Sequence, residues 1–207
     1  MKPAQFEYLA PTTTAEALSL LADRGEDAKL LAGGQSLVPL MNFRLVKPKA
    51  IVDINGIREL DYIRKNGATI AIGATVRQSQ LLNSDLVRES CPVLWYAARF
   101  IGHPAIRHRG TVCGSLAHAD PAGELPLVFS LLDGEVVVKS VKGQRPVKPE
   151  EFFVSYFTTT LEPNEMVVEA RAPVLAPGTG WAFDEVSRRH GDFAIVAAGA
   201  VVTLDEG

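Results

Sequence analysis

The pattern of segments in this 207-residue chain predicts an α+β fold. Three observations carry that expectation. Strand-like and helix-like stretches alternate only over residues 1–55 and then follow in irregular order, which does not suit a doubly wound sheet. Asn66-Gly67 lies between two apolar runs and reads as a hairpin turn, so at least one strand pair is antiparallel. Hydrophobic residues make up 47% of the chain, enough for one large domain or two small ones.

Taken in order, the first element is a helix with Thr14 as N-cap, an apolar face of Ala17, Leu18, Leu20 and Leu21, and a stop at Gly25. "KLLA" is a short buried strand running into Gly33-Gly34. Ser36 is placed to cap a helix over "LVPLMNFRL", where Pro39 falls in the first turn and its missing N–H costs nothing. "AIVDI" closes a β-α-β unit. "YIRKNGATIAIGA" is the hairpin, with Asn66 and Gly67 supplying positive φ angles. A helix over residues 78–89 and another from Pro92 follow, with Trp95 and Tyr96 in its apolar core. "GHPAIRHRG" is a polar, basic loop. Asp120-Pro121 reads as N-cap and first helical residue, and Asp133-Gly134 as the turn into the strand "EVVVKS". "EMVVEARAP", "WAFDEVSRR" and "AIVAAGAVVTLDEG" are further strands. The last runs to a turn signal at Asp205-Glu206-Gly207 with no return partner after it, the pattern of a chain cut inside a domain.

Composition narrows the function classes. The net charge is −3 and there is no long basic run, so a nucleic-acid footprint is not expected. The N-terminus lacks the apolar core of a signal peptide, and the longest apolar run, "FAIVAAGAVV", is too short to cross a bilayer. Cys91 and Cys113 form no CxxC pair, so neither a disulfide framework nor a cluster or zinc site is indicated, and a cytoplasmic protein is expected. His103, His108 and His118 share no ligand spacing, and no metal site is assigned. Ser36 and Ser115 lack a G-x-S-x-G elbow, and no side chain is assigned a catalytic role.

Two glycine-containing loops stand out. Consecutive glycines lose the most backbone entropy on folding, so Gly33-Gly34 answers some local need. That need is either a tight turn or the close approach of an anion to backbone N–H groups at a helix start. No P-loop and no G-x-G-x-x-G pattern is present. The second loop, "TVCGSLAHADPAGELP", combines Gly114 with the hydroxyls of Thr111 and Ser115, the small Ala117 and Ala119, and the carboxylates of Asp120 and Glu124. Hydroxyls and amides suit phosphate oxygens, and a carboxylate suits ribose hydroxyls or an adenine amine. Two such loops gripping one diphosphate would make an extended dinucleotide site.

"AGGQSLVP", "TVCGSLAHADPAGELP" and "SRRHGDFAIVAAGAVVTL" together resemble the FAD-binding medium subunit of the molybdenum hydroxylases, the carbon monoxide dehydrogenase and xanthine dehydrogenase family. The similarity covers essentially the whole chain. It implies the FAD-binding fold of the vanillyl-alcohol-oxidase and CO dehydrogenase flavoprotein type. Residues 1–55 and 56–177 would form two α+β subdomains, and residues 178–207 the start of a truncated C-terminal α+β domain. It implies FAD held by Leu31, Ala32, Gly33, Gly34, Gln35, Ser36, Leu37 and Val38, and by Thr111, Val112, Cys113, Gly114 and Ser115. Ile101 and Phe193 would pack on the flavin, Asp120 and Glu124 would face the ADP part, and Val167 and Asp184 complete the set. The implied function is electron transfer from iron–sulfur clusters to an external acceptor such as NAD. The implied partners are a large molybdenum-cofactor subunit and a small [2Fe–2S] subunit, the chain itself offering no cluster ligands.

Two positions depart from the family pattern. Cys113 stands where glycine is frequent, which restricts one backbone approach. Asp184 stands where xanthine dehydrogenase relatives carry a lysine toward the flavin, and a carboxylate does not stabilise a reduced, anionic flavin as an ammonium does. Two other functions compete with the subunit: a self-contained FAD-dependent oxidase and a non-catalytic nucleotide-binding module.

Overall fold

The structure is a computed structural model describing residues 1–204. Asp205, Glu206 and Gly207, the expected closing turn, lie outside the described residues. β1 (Glu7–Leu9), β2 (Ala28–Leu31) and β3 (Ala50–Asp53) form a parallel sheet in the order β1-β3-β2. β1 is an addition to the sequence expectation: three residues on a sheet edge, mostly exposed, leave no alternation to detect. α1 (Thr14–Arg24) buries Ala17, Leu18 and Leu21 as expected. Its cap is Thr13 rather than Thr14. The Thr13 hydroxyl accepts from the Glu16 amide at 3.2 Å, and the Glu16 carboxylate accepts from the Thr13 amide at 3.3 Å, a capping box that leaves Thr14 buried in the first turn. Between β2 and β3 runs α2 (Leu37–Asn42). Ser36 precedes it as expected, but the Ser36 hydroxyl bonds no helix amide.

A five-stranded antiparallel sheet follows, in the order β4-β5-β10-β6-β7. β4 (Ile63–Asn66) and β5 (Thr69–Gly73) are the predicted hairpin, shifted by one residue. Asn66 pairs with Thr69, so the turn is Gly67-Ala68, and only Gly67 takes a positive φ, +57°. The expected single helix over 78–89 is two, α3 (Gln78–Leu82) and α4 (Asp85–Ser90). Asn83 ends the first, and the Ser84 hydroxyl accepts from the Val87 amide to start the second; short polar side chains favour such caps over helix interiors. α5 (Pro92–Ala97) starts at proline as expected, while the polar loop after it holds a one-turn helix, α6 (Pro104–Arg107).

α7 (Val112–His118) and α8 (Glu124–Leu131) flank the Asp120 turn. Asp120 is not the cap of α8: its carboxylate accepts from the Ala122 amide at 2.9 Å inside the turn, and Gly123 occupies the cap position. Asp133, at φ +49°, leads into β6 (Glu135–Ser140), which hairpins to β7 (Gly143–Val147). α9 (Pro149–Phe152) and a small hairpin of β8 (Phe153–Ser155) and β9 (Thr158–Thr159) precede β10 (Met166–Pro173). β10 is central in its sheet and buried over Met166–Ala170, which explains its nearly continuous apolar run. Glu169 is the exception, and it is satisfied there by the Tyr62 hydroxyl and the Arg171 guanidinium.

β11 (Gly180–Val186) pairs antiparallel with β12 (Val196–Val202), so the partner of the last strand precedes it. One continuous core runs from Ala17 of α1 through both larger sheets and α5, α7 and α8 to Phe183 of β11. Ile72 is fully buried at its centre. Replacing Ile72 with alanine is expected to cost about 2–5 kcal/mol, read as a lower denaturant midpoint at unchanged slope.

Candidate functional site

The chain turns sharply after β2, and the two glycines there answer different needs. Gly34 sits at φ +71°, a conformation costly for any residue with a Cβ. Gly33 lies against the second loop: a Cβ on it would stand 2.5 Å from the Arg109 carbonyl oxygen, 2.7 Å from the Gly110 Cα and 3.0 Å from the Thr111 nitrogen. The two loops that the sequence singles out are therefore docked backbone to backbone.

This docking leaves donors free. Among the described residues, the amides of Gly33, Gly34, Gln35, Ser36 and Leu37 donate to no protein acceptor, and neither do those of Thr111 and Cys113. Backbone N–H groups away from bulk water demand partners, and a run of them is a concavity suited to an anion. Ser36 and Ser115 are half-buried, and among the described residues their hydroxyls bond no protein group. Thr111 is buried and caps α7, its hydroxyl accepting from the Gly114 amide at 3.1 Å. Gly114 is glycine because a Cβ there would meet that hydroxyl at 2.5 Å. Cys113 does not crowd the loop. Its side chain points into the core toward the Ile72 carbonyl, and burial pushes its thiol well above the usual range.

Arg77 and Asn55, which the sequence did not single out, tie the loops together. Asn55 Nδ2 donates to the Ala32 carbonyl at 2.9 Å, Arg77 Nη2 donates to Asn55 Oδ1, and Arg77 Nη1 donates to the Arg109 carbonyl. Nothing local marks either residue, because the contacts join segments 22 and 32 residues apart.

Ile101 is buried just before α6, its carbonyl accepting from Arg107 Nη1 at 2.7 Å. The neighbouring Gly102 and His103 pack against Gly191, where a Cβ would stand 2.5 Å from the His103 ring. The loop carrying Phe193 thus lies beside the loop carrying Ile101, and Phe193 itself is 69% exposed. Leu31 and Leu37 flank the first turn half-buried, Val112 is buried, and Val38 faces solvent. Val167 is buried in β10 opposite Val138, and Asp184 is exposed on β11. Val38 belongs to the first turn, its amide donating to the Gly34 carbonyl at 3.1 Å and its side chain lying against Gly34, whereas among the described residues no hydrogen bond joins the side chains of Val167 or Asp184 to the docked loops. Among the described residues, no group of three or more His, Cys, Asp or Glu can hold a metal ion, and no helix is long and apolar enough to cross a membrane.

Glu124, at the start of α8, is buried. Loss of hydration pushes its carboxyl up to about 7, and the nearby carboxylates of Glu185 and Asp120 add to the rise. Glu185 Oε2 is itself buried, with no hydrogen-bond partner among the described residues.

Comparison with known proteins decides the family. Residues 4–175 match the family described as the FAD binding domain in molybdopterin dehydrogenase. The chain belongs to this family. The flavoprotein is 51% identical to the 6-hydroxypseudooxynicotine dehydrogenase complex subunit alpha of Paenarthrobacter nicotinovorans, over 100% of its own length and 70% of that protein's. It is 42% identical to the carbon monoxide dehydrogenase medium chain of Hydrogenophaga pseudoflava, over 99% and 70% of the two chains. A solved structure of carbon monoxide dehydrogenase from Hydrogenophaga pseudoflava, lacking the Mo-pyranopterin moiety of the molybdenum cofactor, superposes with a TM-score of 0.97 at 41% identity, covering 100% of this chain and 72% of that one. The flavoprotein is accordingly an FAD-binding medium subunit of the molybdenum-hydroxylase type, an oxidoreductase component.

Two outcomes follow from this geometry. Gly33→Ala forces the two loops apart and is expected to destabilise the protein by about 1–3 kcal/mol, measured by equilibrium unfolding. Glu124 holds its proton more tightly folded, near 7, than unfolded, near 4.5. Stability therefore falls as pH rises through that interval and levels off above it. Glu124→Gln should match the parent's stability below pH 4.5 and exceed it at pH 8 by up to about 3 kcal/mol.

Proposed function

We propose that this flavoprotein holds FAD as the electron-transferring subunit of a molybdenum-containing dehydrogenase, between iron–sulfur clusters and an external acceptor. The observation that carries the proposal is the docking of Gly33 onto Arg109–Thr111, with a row of unpaired amides beside it. In this reading the amides of residues 33–37, with those of Thr111 and Cys113 and the hydroxyls of Ser36 and Ser115, hold the diphosphate. Hydrogen bonds to such a charged group contribute about 1.5–3 kcal/mol each.

Bound FAD supplies the redox centre. The chain's own residues bind, orient and shield. Ile101 and Phe193, on neighbouring loops, give the flavin ring an apolar face. Leu31, Ala32, Leu37 and Val38 frame the first loop, and Val112, Cys113 and Gly114 the second. Asp120 and Glu124 face the ADP part, where a carboxylate accepts from hydroxyl or amine donors. Val167 and Asp184 complete the set as more distant contacts. Residues 1–55 and 56–177 act as the two FAD-binding subdomains, and residues 178–207 begin the C-terminal one.

The partners are a large subunit carrying the molybdenum cofactor and a small subunit carrying [2Fe–2S] clusters, a division supported by relatives that are named as medium chains or complex subunits. Both cysteines are free and buried, which suits a reducing, cytoplasmic setting.

Co-purification of the complete protein with its partners tests the assignment. One FAD per chain, seen by its absorbance, with molybdenum and iron only in fractions containing the partners, is the expected result. Failure to take up added FAD would overturn it. Gly34→Ala is expected to weaken FAD binding about tenfold, because about 1.4 kcal/mol of left-handed strain falls on the diphosphate turn.

A further inference from the structure

We propose that Arg77 and Asn55 are positioning residues for the flavin nucleotide, forming a strap that sets the spacing of the two loops. The proposal rests on the loops holding the diphosphate. The strap is continuous: the Ala32 carbonyl accepts from Asn55, Asn55 Oδ1 accepts from Arg77 Nη2, and Arg77 Nη1 reaches the Arg109 carbonyl. Its two ends are carbonyls adjacent in sequence to the elements whose amides are unpaired: Ala32 precedes Gly33, and Arg109 lies under the Gly33 contact.

Both arms are anchored. The Asn55 amide donates to Asp53 Oδ1 at 2.9 Å, and the Tyr8 hydroxyl donates to Asp53 Oδ2 at 2.6 Å, which fixes Asn55 at the end of β3. The Arg77 amide donates to Gln80 Oε1, the Gln80 side chain donates to Asp61 at 3.0 Å, and Arg77 forms a β-bridge with Thr111. Arg77 forms no ion pair among the described residues, so its guanidinium is committed to spanning two neutral acceptors. A guanidinium does this with two separate nitrogens held in one plane, whereas a lysine offers a single nitrogen that cannot stand at both positions. The Asn55 amide group likewise donates on one side and accepts on the other.

The experiment uses the complete complex, deflavinated and titrated with FAD and, separately, with ADP. Arg77→Ala and Asn55→Ala are each expected to raise the dissociation constant about tenfold or more for both nucleotides by the same factor, because the strap acts on the part that FAD and ADP share. Arg77→Lys should not restore affinity, and the double variant should be little worse than either single one, as for members of one network. The melting temperature of the nucleotide-free form is read in parallel. Affinity within twofold of the parent, with or without a lower melting temperature, would overturn the strap, as would a loss for FAD without one for ADP or full rescue by Arg77→Lys. Gly34→Ala separates the two levels: if it weakens FAD while the strap variants do not, the strap fails and the loop assignment stands. If neither change affects FAD, the loop assignment itself fails. Should Arg77→Ala not fold, Asn55→Ala carries the same expectations.

Discussion

The structure depends on a contact in which almost no side chain takes part. Gly33 lies against the backbone of Arg109, Gly110 and Thr111 at a distance that no Cβ could occupy. The parallel sheet supplies one side of that contact through β2, and the segment between α6 and α7 supplies the other. Holding the two in register takes a core that runs unbroken from α1 to β11, and shorter local devices such as the Gln78 amide bond to the Gly110 carbonyl at 2.9 Å. Close packing makes this arrangement stiff, so a displacement on either side carries to the other.

A backbone site suits what a flavin subunit has to do. Amides are fixed donors whose positions are set by the fold, and they hold a diphosphate without bringing a titrating group near the redox centre. Glu169 is satisfied in the middle of the large sheet, and Glu124 begins α8 beside Glu185 and Asp120. Cys113, in the loop itself, is directed away into the core.

Much of the fold was legible because it is local. Leu18 and Leu21 repeat at helical spacing, Val136–Val138 mark a strand, and Asp133-Gly134 turns as expected. The loops were legible as well, since glycines and hydroxyls cluster where a turn precedes a helix. The misplacements have a common cause. Thr13 and Thr14 are chemically equivalent caps, and only the reach of Glu16 chooses between them. Asp120 is as good a turn former as a helix cap, and Ala119 at φ +51° commits it to the turn. The hairpin at Gly67-Ala68 is set by strand pairing, which a dipeptide signal fixes only to within a residue.

By itself the sequence determined that the chain is α+β, where its two special loops lie and which family they resemble, because periodicity, turn chemistry and motif order are properties of neighbours in the chain. It left open why Gly33 is glycine: an ordinary turn was the commoner reason and an anion the sharper one, and the loop 76 positions away was a third that no local pattern contains. Only the tertiary structure decided that, together with the inward direction of Cys113 and the chain of hydrogen bonds through Asn55 and Arg77. Each of these is a contact between segments far apart in sequence, and such contacts exist only once the chain has folded.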